Sequence, residues 1–327
     1  MKTVNSACHI DLQWFGRERG YVSPLLSNLA VDYSTKVREG LVGPLIFPRF
    51  PVDKPSGKYA YYAAEDAYKV PDVTMAGERS RANEFAASAT MKPYATEPYA
   101  LKAFIDKADL EKMDGPFNLW ERRKTELIVS KLELAQEKRI ADAIYRLSGR
   151  SNTLSGGSKW ANGGGDPFND FQTAISKLFF RPNLVLMQES VFDAIEYHPK
   201  LLAKLGEANM IKKVSETTLA QLFRIDRVII AKGRADFTKR NAEKGLTLSG
   251  IWGNNVVFAY TSEAWDEPCS GKTITVKYTE ADNQGYIVRT WDEEDGGLLG
   301  GEYVQVGHDV TELTVAPELL WTIKDVL

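Results

Sequence analysis

The sequence is poor in the residues that usually carry chemistry. Of its 327 residues only two are cysteine, Cys8 and Cys269, and only three are histidine, His9, His198 and His308. Two distant cysteines make neither a disulfide framework nor a thiolate zinc cluster; they read as free thiols in a reducing compartment. The shortage of histidine removes most candidates for a general base near neutral pH. No apolar run approaches the roughly 20 residues of a membrane-spanning helix. The first ten residues, MKTVNSACHI, have no apolar stretch of the kind a secretory signal needs.

The familiar motifs are missing too. The glycines at 156–157 and 163–165 suggest a phosphate loop, but Lys159 is followed by Trp160 and Gly165 by Asp166. A Walker loop needs lysine and then Ser or Thr directly after its last glycine, and an aspartate there repels phosphate. The cluster therefore reads as a flexible surface loop. There is no H-E-x-x-H, no Cys-x-x-Cys and no G-x-S-x-G. The acidic run 292–295 (DEED) lacks the alternating ligand spacing of a calcium loop and reads as a solvated turn. His198 precedes Pro199 in a helix break and His308 lies in a Gly-His-Asp turn; both read as structural or exposed. No catalytic residue, metal ligand or cofactor site is assigned.

What is present is an ordinary soluble mixture, 43% hydrophobic and 26% charged, with a formal net charge of −3. That sum hides an asymmetry. Residues 278–327 hold eleven acidic side chains against two basic ones, whereas residues 1–277 hold 39 basic against 33 acidic. An acidic C-terminal end offsets a mildly basic body, too weakly basic to indicate sequence-specific nucleic-acid binding.

Along the chain, residues 1–50 scatter Trp14, Phe15, Tyr21, Ile46 and Phe47 among repeated glycines and prolines. The prolines exclude a long helix, and no period persists. Such a segment buries its apolar groups on the rest of the chain or on a neighbour. Residues 52–105 read as a two-stranded excursion. Tyr59, Tyr61 and Tyr62 sit in 58–62 (KYAYY), Pro93 and Pro98 mark edge positions, and Arg79 and Arg81 lie toward a polar tip. An isolated hairpin is barely stable in water, so it is expected to lie on a partner.

Residues 117–147 carry the strongest helix pattern, with glycine at both boundaries and none inside. Trp120, Leu127, Leu134 and Ala141 recur every seven residues, with Ile128 and Ile144 beside them; charged residues, Glu133 and Glu137 included, occupy the other faces. One apolar column does not make a coiled coil, so a long helix lying across a sheet is expected. Asp166-Pro167 starts another helix, as N-cap and first helical residue. The pattern then becomes α/β, with strands at 183–187, 227–231, 255–260 and 273–278, helices at 189–205 and 215–223, and β-structure to the end.

An unpatterned arm, a long hairpin, a long charged helix and an α/β body returning to β-structure follow one another in this order. The order resembles the major capsid protein of tailed bacteriophages, the α+β fold shared with herpesvirus capsid floors and known as the Johnson fold. Local segments share the likeness: 43–47 (GPLIF) before KYAYY, 155–160 (SGGSKW) before Asp166-Pro167, and the ending 316–327 (APELLWTIKDVL), which is similar to lambda-type capsid proteins. The resemblance implies an N-terminal arm over 1–47, an extended loop over 48–105, and a peripheral domain over 106–182 with 284–327. The axial domain would span 183–283.

It further implies a structural, non-enzymatic protein of the virion. Copies would form pentamers and hexamers, assemble in the host bacterial cytoplasm and enclose double-stranded DNA held nonspecifically through phosphates. The arm and loop residues Trp14, Phe15, Tyr21, Ile46, Phe47, Tyr59, Tyr61, Tyr62, Arg79 and Arg81 would meet neighbouring subunits. Trp120, Leu127, Ile128, Leu134 and Ile144 would pack the spine helix. A portal, a decoration protein and a separate scaffolding protein, or no scaffolding protein at all, are implied, since only the short arm precedes the loop where some members carry a fused scaffolding segment. Two rivals stand beside this reading: an encapsulin-like shell around protein cargo, and a cytoplasmic α/β enzyme with an unrecognised site.

Overall fold

The structure, a computed structural model, describes residues 21–38, 40–61, 70, 90–111, 119–205, 213–238, 247–264, 267–277, 285–296 and 299–327. Trp14, Phe15, Tyr62, Arg79 and Arg81 lie outside these, as do Cys8 and His9. For Tyr21 only the backbone is described.

Strand β1 (Tyr21–Val22) leads into helix α1 (Pro24–Arg38), which corrects the expectation that prolines keep residues 1–50 free of a long helix. Pro24 occupies the first helical position, where a missing N–H costs nothing, and no Gly or Pro recurs before Gly40. Ser23 Oγ accepts from the Leu26 amide at 3.3 Å, and Leu26 and Ala30, four apart, are buried. There follow α2 (Gly43–Ile46), β2 (Arg49–Val52), the hairpin strands β3 (Ser56–Tyr61) and β4 (Thr90–Ala95), β5 (Glu97–Asp106) and α3 (Lys107–Glu111). The spine helix α4 (Leu119–Tyr145) ends two residues before the sequence pattern does, and residues 117–118 lie outside the described ones.

Beyond it lie β6 (Ser151–Thr153), α5 (Pro167–Ser176), β7 (Leu184–Gln188), α6 (Glu189–Glu196), α7 (Pro199–Leu205), α8 (Glu216–Phe223) and β8 (Arg227–Ala231). The chain closes with β9 (Arg234–Ala235), β10 (Ser249–Gly250), β11 (Val256–Ala259), β12 (Gly271–Val276), β13 (Tyr286–Glu293), β14 (Gly301–Thr314) and β15 (Leu320–Lys324). Asp166 caps α5 as its position predicts, accepting from the Asn169 amide at 3.3 Å.

Two sheets organise the described chain. One runs β1-β13-β14-β12-β2, with β5 also on β14; the other runs β6-β15-β11-β7-β8. In the second sheet successive residues face opposite layers. Val185 and Met187 join Trp160, Phe171, Val191, Ile195 and Phe223, while Leu184 and Leu186 join Ile140, Ile144, Ile46, Phe47 and Trp252. A sheet covered on both sides reads as continuous apolar strands, and every residue of β7 and β11 is buried. The first sheet buries one face, through Tyr286, Val288, Val304 and Val306, against Leu26, Ala30, Ile128, Val129 and Leu132. The spine helix thus spans both sheets.

The sheets cut across the sequence segments. β12, within 183–283, pairs with β14 and β2, and β15, near the C-terminal end, sits between β6 and β11. His308 is not in a turn: it lies inside β14, buried, its ring 4.8 Å from that of Tyr286. The glycine-rich loop is anchored where a flexible surface loop was expected. Trp160 is fully buried, its amide donates to Val326 O at 2.7 Å and its Nε1 donates to Asp170 at 2.8 Å. Gly165 N donates to Gly157 O across the loop.

Candidate functional site

The junction between arm and hairpin is built on the spine helix. Ile46 and Phe47, expected against a neighbour, are fully buried by this chain, between the second sheet and Ile140 of α4. Two glycines admit them. A side chain at Gly43 would strike the Glu137 carboxylate and Ile140, and one at Gly271 would overlap the Phe47 ring. Glu137, expected on a charged outer face, is buried. It accepts from Val42 N at 3.1 Å, Gly43 N at 2.6 Å and Trp252 Nε1 at 2.6 Å. Burial pushes its carboxyl up from the ordinary value, and these three donors pull back against it.

One turn earlier on α4, Glu133 is buried as well and takes both Arg49 Nη2 and Tyr286 Oη, at 3.0 Å and 2.7 Å. Arg49 also donates to Gln136. The start of β2, the spine helix and the first sheet are thereby held in one polar cluster. Outside it, Arg139 pairs with Glu312 at 2.9 Å and lies over the Tyr99 ring at 3.7 Å, joining α4 to β14 and β5. Part of the acidic C-terminal charge is therefore spent inside the chain.

The hairpin has no core of its own among the described residues. β3 and β4 pair only with each other, from Ser56↔Ala95 to Tyr61↔Thr90. Met91 is exposed, and Tyr59 is half-buried. At the end of the paired strands farthest from Ser56 and Ala95, Tyr61 Oη donates to Glu318 at 3.0 Å, Lys92 sits over the Tyr61 ring, and the tyrosine is pushed up to about 12, chiefly by burial and then by Glu318.

Of the expected spine contacts, Ile128 and Ile144 are buried, and Trp120 and Leu134 pack partly against the cores. Leu127 is 53% exposed, a correction. The helix buries Thr125, Ile128, Val129, Leu132, Glu133, Gln136, Glu137, Ile140, Ala141 and Ile144. That stripe advances by three and four residues and turns around the helix as it passes from one sheet to the other. A seven-residue column does not follow it. Charge hid Glu133 and Glu137 from sequence reasoning; their three- and four-residue spacing from Val129, Ile140 and Ala141 was the available signal.

At the far end of the first sheet three carboxylates meet. Glu302 of β14 lies opposite Asp292 of β13 and shares a hydrogen bond with Glu121 of α4. Burial first, then Glu121, pushes Glu302 up to about 7, and Asp292 adds to this while Thr290 opposes it. The DEED run leaves β13 with Asp292, Glu294 and Asp295 exposed, as a solvated turn would.

No group of three or more potential metal ligands occurs among the described residues, nor a helix long and apolar enough to cross a membrane. Cys269 is buried and its thiol is pushed up to about 11, chiefly by burial, which disfavours the reactive thiolate. Two surface cavities have volumes of about 160 and 220 Å³. One lies on the first sheet beside Tyr99 and Arg289, and the other lies between Leu45 and Arg227.

No protein-family model matches the chain. It is similar to the major capsid protein of Pseudomonas phage JBD67, 26% identical over 306 residues, covering 91% of this chain and 94% of the relative. It is also similar to that of Burkholderia phage BcepMu, 27% identical over 256 residues, covering 73% and 76%. Among solved structures, a phage-related protein from Bordetella bronchiseptica superposes with a TM-score of 0.69 at 21% identity, covering 94% of this chain and 98% of that one. The capsid of cyanophage P-SCSP1u superposes with a TM-score of 0.54 at 7% identity, covering 85% and 86%.

Proposed function

We infer that the chain is the major capsid protein of a tailed phage, a structural subunit that assembles with copies of itself into the virion shell. The observation that carries this is similarity to a major capsid protein along nine-tenths of the chain, joined to a hairpin without a core of its own.

Within that role, residues 1–47 act as an arm, 48–105 as an extended loop, 106–182 with 284–327 as a peripheral domain and 183–283 as an axial domain that clusters in pentamers and hexamers. Trp14, Phe15, Tyr21, Tyr59, Tyr61, Tyr62, Arg79 and Arg81 meet neighbouring copies. Full burial of one large apolar side chain is worth about 1.5–3 kcal/mol, so a few such contacts per subunit, repeated around a shell, resist pressure from within. Ile46 and Phe47 serve differently, fixing the root of arm and loop to the spine. The shell forms in the host cytoplasm without catalysis, with a separate scaffolding protein, a portal and a decoration protein as partners, and holds DNA through phosphate contacts alone.

Light scattering and negative-stain microscopy of the expressed chain test the reading. Closed particles tens of nanometres wide that protect DNA from nuclease are expected in infected cells. A monomer or dimer under all assembly conditions overturns it, and particles filled with protein cargo instead of DNA favour an encapsulin-like compartment.

A further inference from the structure

One long strand edge of the first sheet is open. β5 lies beside β14, with Asp106 opposite Gly301 and Glu97 opposite Val310. Lys107 N donates to Gly300 O at 3.0 Å, one step beyond the last of these pairs. The two-residue period of the ladder then turns the backbone groups of Ile105, Ala103, Leu101 and Tyr99 toward β14, and those of Asp106, Phe104, Lys102 and Ala100 away from it. At the other end Thr96 N donates to Pro55 O at 2.8 Å, so the hairpin occupies this outward side and leaves it at Thr96. Pro98, with no N–H to offer, sits at an outward position, where an edge tolerates proline. Among the described residues no strand pairs with the outward side of β5, and Ala100, Leu101 and Lys102 are exposed in succession. A row of free strand donors and acceptors is a template for another strand.

The side chains along this edge fit a second copy of it. Direct cross-strand partners share a face of the sheet. Phe104, Tyr303 and Trp291 form one row on the face away from the core, with ring centroids 5.1 and 5.4 Å apart, and the row ends at the open edge. Lys102 lies on the same face, its Nζ 4.4 Å from the centre of the Tyr303 ring, with no carboxylate partner among the described residues. Asp106 accepts from Ala108 N at 3.2 Å through Oδ1, which leaves its other oxygen without a partner among the described residues. When β5 meets β5 antiparallel, outward residues face outward residues, and only the register centred on Phe104 sets Lys102 opposite Asp106. The two-fold axis makes that pair twice. The same register sets Ala103 opposite Ile105 on the core-facing side, whereas centring on Lys102 would oppose two lysines. An edge paired with itself covers both edges and closes the contact.

We propose that two copies of this chain join edge to edge through β5, antiparallel about a two-fold axis at Phe104, with Lys102 of each copy paired to Asp106 of the other. The contact deepens the reading of the chain as a self-assembling subunit, and it rests on that reading for bringing copies side by side.

Disulfide trapping in the full chain tests it. Cys8→Ser and Cys269→Ser leave an introduced thiol as the only one. Phe104→Cys puts two thiols at directly opposed positions, within disulfide reach. Covalent pairs are expected on a non-reducing denaturing gel, from assembled particles and from concentrated protein alike. Ala103→Cys, off the axis, should give few. Lys102→Asp and Asp106→Lys should each raise the dissociation constant of the pair, read by sedimentation, about 2- to 30-fold, the range of two cross-strand charge pairs. The chain carrying both should recover most of the loss, and these surface changes decide the matter even where Phe104→Cys folds poorly. Absence of Phe104→Cys pairs in the folded variant overturns the proposal. So do pairs formed by Ala103→Cys in their place, and so does a double charge variant no tighter than the single ones. Particle formation is read separately by microscopy: pairs without shells keep this contact and sink the shell reading, and shells without pairs do the opposite.

Discussion

The carboxylate of Glu137 and the indole of Trp252, 115 positions apart in sequence, are joined by a 2.6 Å hydrogen bond inside the core. The same carboxylate holds the amides of Val42 and Gly43. One side chain on the spine helix thus ties together the root of the arm and the second sheet.

Removing that carboxylate leaves three buried donors unpaired. Glu137→Leu is expected to destabilise the subunit by about 3–5 kcal/mol, since each orphaned buried polar group costs about 1–3 kcal/mol. Glu137→Gln keeps one acceptor oxygen and should lose less. Urea unfolding followed by tryptophan fluorescence measures both, and equal losses would show that the acceptor role is not what matters.

Arg49 and Glu133 form the second buried bond between spine and loop root, at 3.0 Å. Breaking one side of such a pair costs about 3–5 kcal/mol, whereas replacing both partners by apolar groups is often neutral. Arg49→Leu and Glu133→Leu are each expected to be strongly destabilising, and the double variant much less so than their sum. A double-mutant cycle at equilibrium gives the coupling; simple additivity would contradict the arrangement.

Two adjacent spine residues should behave oppositely. Ile128 is 4% exposed and Leu127 53%. Ile128→Ala is expected to cost about 2–5 kcal/mol, while Leu127→Lys should stay within about 0.5 kcal/mol. Thermal unfolding of the two variants separates them.

Glu302 makes stability depend on pH. Its folded carboxyl is held up at about 7, above the ordinary glutamate value, by burial and by Glu121 and Asp292. Between the unfolded value and about 7 the folded chain holds the extra proton, so this group's contribution falls as pH rises through that window and levels off above it. Glu302→Gln should flatten that part of the stability–pH curve. Midpoints of urea unfolding between pH 5 and 8 provide the check, and an unchanged slope would count against the assignment.

Much of the fold is written in local patterns. The strand over 227–231 matches β8 residue for residue, and Asp166-Pro167 starts α5 because capping needs only neighbouring residues. The failures share a cause. Helix α1 was hidden because Pro24 counts against a helix everywhere except at its start. Leu127 was misplaced because the spine crosses two sheets, and the direction of its buried face is decided by residues more than a hundred positions away. Glu133 and Glu137 read as solvent-facing because their partners, Arg49, Tyr286, Trp252 and the amides of 42–43, are gathered only by the tertiary fold. Ile46 and Phe47 were legible as residues needing cover, but not as residues covered by their own chain.

The position of β15 between β6 and β11 has a consequence in time. A ribosome makes β6, β7, β8 and β11 first, yet β6 and β11 have no common neighbour until residues 320–324 emerge. During synthesis the second sheet waits with a vacant lane between its edge strand β6 and β11, and the core beneath the spine helix waits for Leu320. Such long-range closure is slow to form, so a nascent chain acquires its finished shape only after the strand that fills the lane has left the ribosome.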